Sequence, residues 1–443
     1  MTMPFELTIG LLGLGALVLL IGLRVPIAFG MVLVGGAGVS ILNGPGIFMS
    51  QLKDLTYVQF SIYDVSVIPM FVLMGNIASR SGLSQELFRA ANAWLGWARG
   101  GVAMSAIVAC AGFGAVCGSS LATASTMGKV ALPELRKYNY DPSLATGTLA
   151  AGGVLGILIP PSVVLVIYAI IVEANIVTMF MAAFVPGIIA VFLFLLTIFI
   201  YVRIFPESGP ARDPIGRSQF WAATWGVLPV LAIFGCVIGG IFFGVFNPTP
   251  AAAVGVFLVA LYAILRGRIG TEGLKRAGLD TAKTSGMIYL ILLGAEMLKI
   301  FMSRGGVPQA IAEIMGTSGL EPMTILVLLL LGLILLGCLM DSLSMILLAI
   351  PFFWPVLVEL DFGMGVEDLK IWFGILALIV VELGLITPPV GMNVFVISAM
   401  AKDVPMMKIF AGVIPFFLAE IFRVILILMF PALVLWLPGI LSG

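Results

Sequence analysis

The sequence predicts an all-α, polytopic membrane protein whose two halves each carry a re-entrant hairpin and a broken helix. Three observations carry that prediction. Of 443 residues, 61% are hydrophobic and only 10% charged, against about 25% charged in an ordinary soluble domain; mean hydropathy is +1.20. A soluble chain with this composition lacks the polar residues to cover its surface. The apolar stretches are continuous and do not alternate with period two, which favours helices over a transmembrane barrel. Finally, a glycine followed by a double proline occurs twice inside otherwise helical apolar runs, with Pro160 and Pro388 standing 228 residues apart.

Along the chain, apolar segments fall at 5–22, 25–42, 65–79, 101–118, 121–133, 144–158, 162–180, 182–205, 219–245, 250–266, 284–302, 322–340, 343–358, 370–386, 388–400 and 409–437. A membrane-crossing helix needs about 20 apolar residues, so the runs at 101–118, 121–133, 144–158 and 343–358 are half-length to marginal. No Lys or Arg precedes the first run, so it reads as a retained helix and not as a cleaved signal. Arg80, Arg89, Arg99, Trp94 and Trp97 read as an interfacial amphipathic helix. Arg203, Arg212 and Arg217 share one polar loop, and Arg266, Arg268, Lys275 and Arg276 share another. Two crossings separate these loops, so both lie on one side, the cytoplasmic one by the positive-inside rule. The organisation that follows is N-terminal scaffold and arm over 1–100, first hairpin and broken helix over 101–180, second scaffold and arm over 181–320, second hairpin and broken helix over 321–401, and a C-terminal helix over 402–443.

Composition also excludes chemistry. A soluble enzyme, a nucleic-acid binder and a secreted scaffold do not fit, and the chain reads as not an enzyme. There is no histidine, hence no imidazole metal site, proton relay or Ser-His-Asp triad. Cys110, Cys117, Cys236 and Cys338 form no CxxC pair. Lys+Arg and Asp+Glu both total 22, so net charge identifies no partner.

The double prolines carry more. In Gly156-Ile-Leu-Ile159-Pro160-Pro161-Ser162 and Gly384-Leu-Ile-Thr387-Pro388-Pro389-Val390-Gly391, two backbone donors are missing and the preceding residue is pushed out of helical geometry. In a membrane, carbonyls freed by such a break must face protein, water or an ion, and unwound carbonyls beside a half-helix end form a cation site. Upstream of each break lies a small, polar interruption, Gly112 to Thr123 with Ser119 and Ser120, and Gly337 to Ser344 with Asp341 and Ser342. Each suits the tip of a hairpin that enters and leaves on the same side. A hard cation such as Na⁺ prefers several oxygen ligands. Ser119 and Ser120 with carbonyls around Gly156–Pro161 form one candidate set; Asp341 or Ser342 with Gly384, Thr387 and Val390 form the other. Asn393, just after the second break, is a candidate to face substrate beside Ser120. Asp341 and Glu382 are ionisable groups inside apolar runs, where such groups are costly and usually functional. Asp341 could instead cap a helix, and Glu382 could hold neighbouring backbone together. Glu296/Lys299 and Glu420/Arg423 are spaced to pair along a helix face. Short, interrupted segments at matching places in two halves point to a transporter.

These motifs resemble a family. The stretch GSS followed by ATASTMGKVALPEL, LATGTLAAGGVLGILIPPSVVLVIYAI (144–170), MDSLSMILLAIPFFWPVL (340–357), VELGLITPPVGMNVFV (381–396) and IPMFVLMGNIASRSGLS (68–84) are similar, in order, to the large membrane subunit of tripartite ATP-independent periplasmic (TRAP) transporters. The length matches the large subunit without a fused small one. The resemblance implies two inverted repeats forming an elevator-type transport domain held by a scaffold, in the bacterial inner membrane. It implies import of an organic anion received from a periplasmic substrate-binding protein, coupling to Na⁺, and a small four-helix membrane subunit as partner. It implies sodium sites at Ser119, Ser120, Gly156, Ile159 and Pro161, and at Asp341, Gly384, Thr387 and Val390. Cys117 departs from the serine often found at the first tip, and a thiol is a poor Na⁺ ligand. A stand-alone carboxylate carrier of the dicarboxylate or citrate type, driven by Na⁺ or H⁺, is the alternative.

Overall fold

The structure, a computed structural model, describes residues 4–23, 25–310, 313 and 319–441. The first half runs α1 (Phe5–Gly22), α2 (Ile27–Asn43), α3 (Pro45–Ser61), α4 (Val67–Ser81), α5 (Leu83–Leu95), α6 (Gly101–Cys117), α7 (Ser120–Lys137), α8 (Pro142–Leu158), α9 (Val163–Val172) and α10 (Ile176–Ile204). The second runs α11 (Arg217–Phe242), α12 (Pro248–Leu265), α13 (Thr271–Arg304), α14 (Pro322–Gly337), α15 (Ser342–Val358), α16 (Val366–Gly384), α17 (Met392–Met400), α18 (Met406–Met429) and α19 (Ala432–Leu441). Each half repeats one order: leading helices (α1, α2; α11, α12), connecting helices or arms (α3–α5; α13), a helical hairpin (α6/α7; α14/α15), a broken helix (α8/α9; α16/α17) and a long closing helix (α10; α18). Among the described residues six helices are long and apolar enough to cross a membrane, and the bent pairs α3–α4 (67°) and α8–α9 (46°) raise this to eight.

The halves are inverted. α8 packs on α17, and α9 on α16. Asn393 at the start of α17 donates to the Ala150 carbonyl within α8 (3.4 Å), and Tyr168 of α9 donates to the Lys370 carbonyl of α16 (2.7 Å). The segment before one break therefore lies beside the segment after the other, so the broken helices run antiparallel.

Local sequence sets the interruptions. α8 opens on Pro142, with Asp141 accepting from the Ser143 and Leu144 amides (2.9 and 3.1 Å). It stops at Pro160–Pro161, and Ser162 restarts the chain as the cap of α9. Ser119 and Asp341 likewise cap the second arms of the two hairpins. Small residues let these helices pack closely: a methyl group at Gly147 would collide with the backbone of Gly412 on α18. As a result α8 is buried from Leu144 to Leu158, whereas α1 buries only Gly10 and Leu17.

Several boundaries differ from expectation. α3 is a helix where the apolar runs showed none, since Lys53 and Asp54 interrupt its hydropathy without breaking its backbone. The division expected at 180 falls inside α10. The chain turns earlier, where Glu173 is left-handed (φ 56°) and Asn175 caps the new helix through the Val177 and Thr178 amides. The expected single C-terminal helix is two, because Pro431 follows the last turn of α18 and cannot continue it. α7 outruns its apolar run to Lys137, because its last turn is polar and charged, ending in Arg136 and Lys137.

Candidate functional site

At the first hairpin tip α6 ends on Cys117, and Gly118 turns the chain in the left-handed region (φ 64°), where a side chain would also stand 3.0 Å from the Pro161 carbonyl oxygen. The Ser119 hydroxyl accepts from the Ala122 amide (3.4 Å). The first break presses against this tip: a methyl group at Gly156 would collide with Thr123 Oγ1 and sit 2.8 Å from the Ser119 carbonyl. Ser119, Ser120, Gly156 and Pro161 thus meet in space. Ile159 is half-buried, with its side chain toward Gly187 of α10. Thr123 is the addition that sequence reasoning missed. Its hydroxyl is buried with no oxygen or nitrogen partner, only the weakly bonding Cys117 thiol beside it, and the only sequence signal was one polar residue in the small-residue run after the tip.

The second set is assembled differently. Asp341 caps α15 with both carboxylate oxygens, accepting from the Ser344 amide (3.2 Å) and hydroxyl (2.6 Å). Gly384 is a close-packing residue: its added methyl would stand 2.7 Å from Gly337 backbone, where α14 crosses α16. After Gly384 the chain tightens into a turn that uses carbonyls the sequence suggested would be free. The Gly384 carbonyl accepts from the Thr387 amide (3.0 Å), and the Leu383 carbonyl from the Ile386 amide (3.2 Å) and the Thr387 hydroxyl (2.6 Å). Val390 is half-buried. Asn393 is fully buried against α8 with its side-chain oxygen unpartnered, and it does not line the cavity described next.

Both tips open on one cavity of about 180 Å³. Its walls include Ser119, Ser120 and Ala122 from the start of α7, Asp341, Ser342 and Leu343 from the start of α15, and Gly75 and Asn76 of α4 with Thr284 of α13. The two arm helices are tied together by Asn76 Nδ2 donating to Thr281 Oγ1 (2.9 Å) and by the Arg80–Asp280 ion pair (2.6 Å). Beneath the tips sits Glu382 of α16, fully buried, its two carboxylate oxygens accepting from the hydroxyls of Ser120 and Ser342. Its partners are these side-chain hydroxyls and not the backbone. Glu420 and Arg423 pair in full burial, Arg423 also donating to the Pro186 carbonyl (3.1 Å). Glu296 and Lys299 pair at 3.7 Å. Among the described residues no group of three or more Cys, Asp or Glu converges. The polar groups on offer are hydroxyls, carbonyls, helix N-termini, the Asn76 amide and the Asp341 carboxylate.

Comparison with known proteins fits this geometry. Residues 14–433 match the family model of the tripartite ATP-independent periplasmic transporter, DctM component. The chain is 32% identical over 406 residues to the C4-dicarboxylate TRAP transporter large permease protein DctM of Vibrio cholerae, covering 86% of this chain and 87% of that one. It is 30% identical to the sialic acid TRAP transporter large permease protein SiaM of the same species, over 94% and 96% of the two chains. It is 29% identical to the isethionate TRAP transporter permease protein DctMQ of Oleidesulfovibrio alaskensis, over 88% of this chain and 60% of that one. The crystal structure of the Alcanivorax borkumensis YdaH transporter shares the fold, with TM-score 0.59 and 14% identity over 88% and 89% of the two chains.

Proposed function

The chain belongs to the DctM component family of TRAP transporters, a multi-pass permease of the bacterial inner membrane and not an enzyme, and on that premise we propose that it imports a small organic anion, received from a periplasmic substrate-binding protein, by a Na⁺-coupled elevator movement. One observation carries this reading: the first turns of two short helices, α7 and α15, one from each half, face the same cavity. A helix N-terminus carries about half a positive charge and offers free amides, so two of them favour an anionic group. Relatives named for C4-dicarboxylate, sialic acid and isethionate transport agree on charge and differ in everything else.

Ser120 is the proposed first contact for substrate on the hairpin side, with Asn393 supporting the same wall from behind through Gly153 and α8. Sodium would be held at Ser119, Ser120, Gly156, Ile159 and Pro161, with Thr123 added, and at Asp341, Gly384, Thr387 and Val390. Hydroxyl and carbonyl oxygens are the ligand type a hard monovalent cation takes. The cavity wall is shared between the hairpin tips and the arms α4 and α13, which is where a moving body would slide on a fixed one. The scaffold would be enlarged by a small four-helix membrane subunit.

The test is uptake in proteoliposomes holding this chain with its small subunit, with and without binding protein and with and without an inward Na⁺ gradient. The reading expects uptake only when both are present. Uptake without binding protein would replace it with a stand-alone carboxylate carrier. Uptake indifferent to Na⁺ at fixed pH would remove the sodium sites.

A further inference from the structure

We propose that Glu382 is the shared outer anion of both sodium sites, a positioning residue that orients the Ser120 hydroxyl toward one cation and the Ser342 hydroxyl toward the other. The inference rests on the sodium-coupled reading above and assigns its charge balance to a residue outside either ligand set.

The geometry has three parts. First, the carboxylate is fully buried on α16, one oxygen held by Ser120 and the other by Ser342. These serines are the first residues of α7 and α15, so one anion sits beneath the N-termini of two short helices that belong to different halves. Each serine directs its proton to Glu382, which leaves its oxygen lone pairs directed elsewhere. A hydroxyl that donates to a carboxylate is a better cation ligand, just as an outer carboxylate fixes and strengthens a metal-bound imidazole. Second, among the described residues Glu382 has no cation partner of its own. Arg423 and Glu420, which also act on it electrostatically from α18, are already paired with each other. A buried, unpaired carboxylate is retained in a membrane protein only when something compensates it, and the ligand sets supply neutral oxygens apart from Asp341, whose oxygens cap α15. Third, the two serines are 222 positions apart in sequence (342 − 120) but share one carboxylate. Filling either site pulls on the group that shapes the other, so the two sodium ions bind cooperatively.

The experiment is a thermal-stability titration of the purified permease with its small subunit, NaCl replacing choline chloride at constant ionic strength, on wild type, Glu382→Gln and Ser342→Ala. The Glu382→Gln substitution keeps the shape of the side chain, removes its charge and replaces one of its two acceptor oxygens by an NH2 donor, so one of the two serine hydroxyls must turn to accept. Wild type is expected to gain Tm with Na⁺ along a sigmoidal curve, because a ligand that binds only the folded state stabilises it by mass action. E382Q is expected to keep or raise its Tm in choline chloride, while its half-saturating Na⁺ rises at least tenfold. S342A is expected to lose affinity at the second site and, with it, the cooperative part of the curve. A residue that merely holds the fold would give the opposite pattern, a lower Tm in choline and an unchanged Na⁺ shift, and that result overturns the proposal. An E382Q variant with wild-type Na⁺ dependence overturns it too, because the side chain would then work without its charge. If wild type itself shows no Na⁺-specific shift and its uptake ignores Na⁺, the sodium reading has failed and this inference falls with it, an outcome recognisable before any variant is measured.

Discussion

The two hairpins have one design and two environments. The first, α6/α7, is enclosed: α6 is buried along nearly its whole length and the break beside it, Pro160–Pro161, is buried too. The second, α14/α15, stands at an edge. Leu335 and Leu339 near its tip are 71% and 60% exposed, and the prolines of the second break are exposed. The first tip is therefore positioned by contact on the sides away from the cavity. The second is positioned by a helix crossing at Gly337 and Gly384, and by one hydrogen bond from Ser342 to Glu382. Identical local motifs do not imply equal rigidity, because rigidity comes from what surrounds them.

The largest expected difference tests that contrast directly. Gly156→Ala and Gly384→Ala each push a methyl group into a backbone crossing, and overpacking costs about 1–3 kcal/mol. At Gly156 every neighbour is itself enclosed, so the first tip must part from its break. Uptake in G156A is expected to fall by about two orders of magnitude, since near 1 Å of misplacement costs that much. In G384A the partly exposed α14 can move outward, and the loss should be about tenfold or less. Equal losses would abolish the distinction between an enclosed and an edge hairpin.

Arg423→Ala comes next and concerns stability more than transport. Removing one partner of a fully buried pair strands the other, at a cost of about 3–5 kcal/mol, seen as a sharp fall in Tm and in yield of folded protein. An R423A protein with wild-type Tm would show that Glu420 finds another partner. Thr123→Val sharpens the first site alone. Its hydroxyl has only the Cys117 thiol to lose, a weak partner, so stability should change by about 1 kcal/mol or less, while the Na⁺ concentration for half-maximal uptake rises about tenfold. Unchanged Na⁺ dependence would return Thr123 to a packing role. The smallest effect on stability is expected at the second tip. Asp341→Asn retains a good cap, and the change in Tm should correspond to under about 0.5 kcal/mol, with Asp341→Ala near 1 kcal/mol. With Asp341 among the proposed ligands of the second site, D341N is expected to lose Na⁺ affinity at unaltered Tm; unchanged Na⁺ dependence would leave Asp341 a cap alone.

The membrane class, the repeat, the hairpin tips and both breaks were legible in the sequence. Each depends on properties that a residue carries wherever it sits. Proline has no amide hydrogen, a double proline ends a helix, and apolar runs this long need lipid or a protein core around them. The pairs Glu296/Lys299 and Glu420/Arg423 were legible for the same reason, since three residues along a helix bring side chains to one face. Less legible was what the freed groups would do. The Gly384 carbonyl was expected to be open, and the turn after it closes on it through the Thr387 amide.

By itself, then, the sequence determined where helices start, stop and break, because those are local covalent and solvation rules. Only the tertiary structure decided which interruption meets which. It placed Ser120 and Ser342 on one carboxylate, set Thr123 against Gly156, took Asn393 away from the cavity and against α8, and tucked the first tip in while leaving the second at an edge. Such meetings depend on the antiparallel packing of two half-chains more than 200 positions apart in sequence, and a periodicity read over a dozen residues carries no information at that range.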